Sequence, residues 1–288
     1  MLRKHPLLFF FLFAYAISWL LWLPLVLAKQ GIISYQPPQY LHLVGSLGPA
    51  MSALIMTRVC GGSVGLRDLL GRMFNWRVSI VWHAIAWLSP LLLFLISVLI
   101  SSALFGGGNN WEPQSFGHSS EYRELPVPVY WFASLLFSGW GEETGWRGFA
   151  LPLLQTRQSA LKATVTLSIG WAFWHLPLFF FNPGFSRMGI LEVFGWYFSM
   201  LTGAVLFTWL TNSTRGSILI AAIFHGTMDI AFVSPAPPAV ANIVGALITI
   251  LGIAVIRIAK PQYLSLVGKM VVHQDEDSYR VFMQEARK

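Results

Sequence analysis

Six polar side chains stand where apolar neighbours predominate: Glu142, Glu143, Arg147, His175, His225 and Asp229. An ionisable residue inside lipid costs about 2.5–3.5 kcal/mol or more, so such residues usually mark function. Of the twelve Asp and Glu in the chain, Glu142, Glu143 and Asp229 alone fall in the interior of long apolar windows. Glu143 and Arg147 are four apart, share a helical face and can pair, which reads first as charge neutralisation. Glu142 projects about 100° away and has no partner on its own helix. A carboxylate in a poorly hydrated site suits general-base work near neutrality. His175 precedes Leu176-Pro177, and Pro177 removes a backbone donor from its turn. Alone, a membrane histidine reads as an interhelical hydrogen bond. His225 and Asp229, four apart, read as an Asp that orients its histidine. Together, three carboxylates, two histidines and an arginine at matched depth point to a reactive site.

The sequence narrows the chemistry by what it lacks. It has no Gly-rich phosphate loop and no H-E-x-x-H zinc helix. It has no G-x-S-x-G serine elbow. One cysteine, Cys60, excludes an internal disulfide and a cysteine metal site. A Glu and two His remain, a set suited to activating water. Glu142 would take a proton from water with the help of His175, and the hydroxide would attack a carbonyl. His225 and Asp229 would stabilise the oxyanion side, where one donor is worth about 3–4 kcal/mol in comparable sites. Asp229 can donate only if protonated; ionised, it can act only by holding His225 as a donor.

The elements that must position these residues are membrane helices. Of the 288 residues 55% are hydrophobic and 11% charged, too few to cover a soluble domain, which carries about 25% charge. The chain reads as an all-α polytopic membrane protein of about eight transmembrane helices. The spans are expected near 7–27, 42–57, 81–104, 129–151, 164–181, 191–210, 217–233 and 239–257. The first is too long for a signal-peptide core and lacks an A-x-A site after it, so it is read as retained. With both termini cytosolic, cytosolic segments hold fifteen Lys and Arg and the other side three, namely Lys29, Arg123 and Arg187. The net charge of +7 is thereby explained as topology, and a nucleic-acid partner loses its support. On a rise of 1.5 Å per residue, Glu142, His175 and His225 lie about 14–16 Å from the cytosolic helix ends and Asp229 about 20 Å. They would face one another around a wet cavity in the cytosolic half. Four glycines beside Glu142 permit close helix approach or loosen the helix.

At these residues the sequence resembles the CAAX prenyl endopeptidase family, also called the Abi or CPBP intramembrane proteases. The E-E-x-x-x-R motif stands as Glu142, Glu143 and Arg147, followed by Gly148-Phe149 and Leu151-Pro152. The F-x-x-x-H motif stands around His175, and H-x-x-x-N as His225 to Asp229 after Gly216-Ser217-Ile218-Leu219. The first motif alone is weak; all three in order, each at a span, are a strong signal. Trp171 replaces the usual Phe of the second motif, from which only a packing change is expected. Asp229 replaces the Asn of prenyl-protein processing members.

The resemblance implies an eight-helix endopeptidase in the membrane. Its catalytic core covers residues 127–232, preceded by helices 1–3 in 1–126 and followed by a last span in 233–260 and a polar cytosolic tail in 261–288. It assigns water activation to Glu142 with His175, the oxyanion to His225 with Asp229, and support to Glu143 and Arg147. Partners would be membrane lipid and, as substrate, a peptide or a prenylated protein C-terminus; bacterial relatives suggest peptide processing or bacteriocin immunity instead. The site would open toward the cytosol, in a bacterium from the plasma membrane. Family names often say metalloprotease, and Glu142, His175 and His225 could make a His₂Glu zinc set; a metal-free glutamate mechanism is the preferred reading. Readings of another class are a proton-coupled transporter, disfavoured by the lack of paired repeat halves, and an inactive scaffold.

Overall fold

The computed structural model describes residues 1–106, 111–275 and 278–286. Arg287 and Lys288, counted with the cytosolic charges above, lie outside the described residues. The protein is an all-α polytopic membrane protein with one small C-terminal hairpin. Among the described residues six helical segments are long and apolar enough to cross a membrane, and the shorter Ile218–Val233 lies among them.

Helix α1 (Pro6–Lys29) starts on a proline, which lacks the N–H that a first turn leaves unpaired anyway. The window expected at 42–57 is longer than hydropathy suggested. A short α2 (Leu41–Gly45) is followed by α3 (Gly48–Met73), bent at Gly62, whose φ is 57°. Residues 58–73 carry charges that a hydropathy window rejects, yet the helix continues. Arg72 pairs with Asp68 one turn back and is otherwise buried. Helix α4 (Ile80–Phe105) is capped by Ser79, whose hydroxyl accepts the Val81 N–H.

The span that carries Glu142 is one unbroken helical run, 127–157. It is made of α5 (Val127–Ser134), a π turn (Leu135–Trp140), α6 (Gly141–Gly145), a second π turn (Trp146–Ala150) and α7 (Leu151–Arg157). Wide turns of this kind cluster at functional sites. The run extends beyond the expected 129–151, and Glu142 stands midway along it. Helix α8 (Ala160–Trp174) begins at a Ser159 cap and ends at His175. The short α9 (Leu178–Phe181) and α10 (Pro183–Ser186) lead to α11 (Ile190–Ser213), α12 (Ile218–Val233) and α13 (Pro238–Ile258).

The run 127–157 packs between α3 and α12. Its glycines are points of close approach. A Cβ on Gly139 would stand 2.5 Å from the Ala222 carbonyl oxygen of α12, and one on Gly145 would stand 2.7 Å from the Pro49 carbonyl oxygen of α3. Of the two roles open to these glycines, the structure uses tight packing. The core around them is aromatic, with Phe10, Trp22, Trp146, Phe149 and Trp174 all buried.

The tail is folded. Strands β1 (Gly268–Asp275) and β2 (Ser278–Glu285) pair antiparallel, with Met270 opposite Met283 and Val272 opposite Val281. Lys269 Nζ donates to the carbonyls of Gln155 and Gln158, both at 2.7 Å, a cation at the C-terminal end of α7. Gln155 in turn donates to the Met270 carbonyl. At the N-terminus, Arg3 donates to the Val59 carbonyl. The first residues and strand β2 therefore both contact α3.

Candidate active site

The site forms where α6, α8 and α12 meet. Glu142 (4% exposed) splits its carboxylate between two tasks. Oε2 accepts the indole N–H of Trp171 at 2.7 Å and that of Trp146 at 3.3 Å. Oε1 faces His225 Nε2 at 4.0 Å. The expectation that Glu142 lacks a partner on its own helix is corrected: Trp146, four residues on, is that partner. Across the helix Glu143 Oε1 accepts from Arg147 Nη1 at 3.0 Å, as the spacing predicts, with both side chains fully buried. The Arg147 guanidinium lies over the rings of Trp171 (4.6 Å) and Phe207 (4.4 Å), a placement that favours a cation over an aromatic face.

Glu143 does more than neutralise Arg147. The same Oε1 accepts from His225 Nδ1 at 2.7 Å. This corrects the reading of Asp229 as the residue that orients His225. Asp229 Oδ1 is 3.7 Å from the other ring nitrogen, Nε2, beyond hydrogen-bond length. Asp229 Oδ2 accepts instead from the Ser134 hydroxyl at 3.0 Å. Nε2 of His225 is thus flanked by two carboxylates, Glu142 and Asp229, and bonded to neither.

His175 sits one turn beyond Trp171. Its Nδ1 donates to the Trp171 carbonyl at 2.8 Å, which fixes the proton on Nδ1 and leaves Nε2 as an acceptor. The ring is enclosed by Trp174, Phe185 and Trp196 at centroid distances of 4.9–5.9 Å. Among the described residues no hydrogen bond or ion pair joins His175 to Glu142 directly. Trp171 touches both, one through its indole and the other through its backbone.

The expectation for Trp171 also changes. In place of a packing change alone, the indole brings an N–H that ends on Glu142. Reading the chain by charge also passed over Ser134 and Trp146. The i, i+4 spacing of Glu142 and Trp146 could have flagged the latter. Arg72 was counted as a topological charge only; its Nη2 donates at 3.0 Å to the Gly148 carbonyl in the second π turn.

A zinc ion held by Glu142, His175 and His225 would need one atom of each about 2.0–2.2 Å from a common point. Among the described residues no three His, Cys, Asp or Glu gather in that way. One oxygen of Glu142 and one nitrogen of each histidine are already engaged. As placed, the residues do not form a His₂Glu set.

Residues 124–231 match the family model for type II CAAX prenyl endopeptidase, Rce1-like. Over 221 residues, 75% of this chain and 80% of the relative, the sequence is 27% identical to CAAX prenyl protease 2 of Methanococcus maripaludis. A helical membrane bundle with these likenesses is a membrane peptidase. By these matches the chain is similar to the CAAX prenyl endopeptidase family.

Proposed function

We propose that the protein hydrolyses a peptide bond inside the membrane with water activated by Glu142 and His175. The observation that carries this reading is the 4.0 Å separation of Glu142 Oε1 and His225 Nε2, close enough for one water oxygen beside the line joining them to bond both. Glu142 Oε1 takes a proton from water, and the hydroxide oxygen bonds to the scissile carbonyl carbon. His175, with its free acceptor, helps hold the water. The carbonyl π electrons move to oxygen, and that oxyanion lies toward His225 Nε2, which donates to it as imidazolium. Glu143 holds His225 through Nδ1, Arg147 holds Glu143, and Asp229 balances the imidazolium from 3.7 Å. Collapse breaks the C–N bond, and the proton on Glu142 passes to the leaving amine.

The relative's printed name supports a prenylated CAAX C-terminus as substrate. Asp229, in the place of Asn, favours a second reading in which the substrate is a peptide without a prenyl group. Eight spans, both termini cytosolic and a site opening to the cytosol of a plasma membrane fit the charge asymmetry. The attachment of residues 3 and 269 to neighbouring parts of the bundle supports termini on one side. The test is cleavage of a prenylated CAAX peptide by the purified protein in detergent. Glu142→Gln is expected to stay folded and lose turnover. A transporter would have no cleavage to lose, and a scaffold would bind its partner unchanged. Turnover of unprenylated peptides only would move the assignment to the second substrate class.

A further inference from the structure

We propose that Trp171 is a positioning residue for Glu142: its indole N–H holds Oε2 so that Oε1 alone faces His225 and the water. The inference rests on Glu142 being the base.

Four contacts fix the indole. Its Nε1 donates to Glu142 Oε2 at 2.7 Å, the shorter of the two bonds that oxygen accepts. The Arg147 guanidinium covers its ring at 4.6 Å. The rings of His225 and Phe207 pack edge-on at 5.8 and 5.9 Å. Its own carbonyl accepts from His175 Nδ1. One residue therefore touches Glu142, His175, His225 and Arg147, which sit on three different helices. With two indole donors on one oxygen, rotation of the carboxylate would break both bonds, and the second oxygen is left for chemistry. A base held in one orientation makes its proton transfer without searching for it.

The plainer account is that a buried indole N–H needs some acceptor and Glu142 happens to serve. Phenylalanine separates the two. Trp171→Phe keeps an aromatic face for Arg147 and removes only the donor and part of the ring. A hydrogen bond to a charged group corresponds to roughly 10- to 100-fold in rate. The expected result is a fall of that size in kcat per folded molecule, with KM within about twofold of the parent. A purely structural role would lower the midpoint and leave kcat per folded molecule alone.

A second readout does not depend on turnover. In protein labelled with ¹⁵N at tryptophan, the Trp171 Nε1–H resonance is identified by its loss in Trp171→Phe. It is expected to shift when Glu142 is replaced by Ala, and Trp171→Tyr supplies the assignment if Trp171→Phe folds poorly. An unchanged kcat in Trp171→Phe, or a Trp171 resonance indifferent to Glu142→Ala, overturns the proposal while leaving Glu142 as the base. Full turnover in Glu142→Gln removes the base itself, and the role of Trp171 with it.

Discussion

Glu143 Oε1 accepts at once from Arg147 Nη1 and from His225 Nδ1, at 3.0 and 2.7 Å, so a fully buried carboxylate joins a cation to an imidazole across two helices. Removing one partner of a buried pair strands the other charge and typically costs about 3–5 kcal/mol, whereas an apolar pair of similar volume can be neutral or stabilising. Glu143→Ala is therefore expected to destabilise by that amount, seen as a lower thermal midpoint in detergent. The double variant Glu143→Leu, Arg147→Met is expected to recover most of the stability and none of the cleavage, because His225 still lacks its acceptor. Recovery of cleavage in the double variant would show that Glu143 serves Arg147 only.

Asp229 poses a different question, since its Oδ2 is taken by Ser134 while Oδ1 faces His225 Nε2 across 3.7 Å. Asp229→Asn preserves an acceptor for Ser134 and can turn an N–H toward the developing oxyanion. Asp229→Leu does neither. One oxyanion donor is worth roughly 10²–10³ in kcat. On a prenylated peptide the Asn variant is expected to match or exceed the parent, and the Leu variant to lose at least about tenfold in kcat. Steady-state kinetics on both decide it; equal losses would mean that the negative charge at 229 is what the reaction uses.

The parts of this arrangement legible in the chain are those set by local spacing. Glu143 and Arg147 pair because residues four apart on a helix are neighbours, and long apolar runs such as 81–104 announce themselves. What stayed hidden depends on contacts distant in sequence. His225 finds Glu143 rather than the nearby Asp229 because packing brings Nδ1 of its ring to α6 and turns only Nε2 toward Asp229. Trp171 was visible as an aromatic exchange, but the direction of its N–H exists only once α8 lies beside α6. The second half of α3 was concealed by its own arginines, of which Arg72 is buried against Asp68 and the Gly148 carbonyl. The tail reads as polar and mixed, yet Met270, Val272 and Val281 supply a small apolar face against the bundle.

Metal dependence can be tested on the same protein. Glu142 Oε2 is engaged by two indoles, and one nitrogen of each histidine is engaged by Glu143 or a backbone carbonyl. Of the atoms left over, Glu142 Oε1 and His225 Nε2 stand 4.0 Å apart, and among the described residues no third ligand gathers with them. Incubation with a strong chelator followed by buffer exchange is expected to leave peptide cleavage unchanged. Loss of activity that zinc alone restores would reassign Glu142, His175 and His225 as ligands.

The last prediction concerns the loop ahead of α5, where Glu121 ties three separate segments together. Its Oε1 accepts from Gln39 Nε2 and His42 Nδ1, both at 2.6 Å, and its Oε2 from Asn182 Nδ2 at 3.1 Å. Burial pushes this carboxyl upward, but the neighbouring His42 and the hydrogen bonds from His42, Gln39 and Tyr122 outweigh it and hold the group below the usual carboxylate value. A carboxyl lowered on folding stabilises the fold above its unfolded value, about 4.3 for Glu, and that contribution is lost as pH falls through the folded value. Glu121→Gln keeps an acceptor oxygen but removes the charge. The thermal midpoint of the variant is expected to lie below that of the parent at pH 7, and the gap is expected to close as pH drops below about 4. A gap that stays constant across this range would assign the stabilisation to hydrogen-bond geometry rather than to the ionised carboxylate.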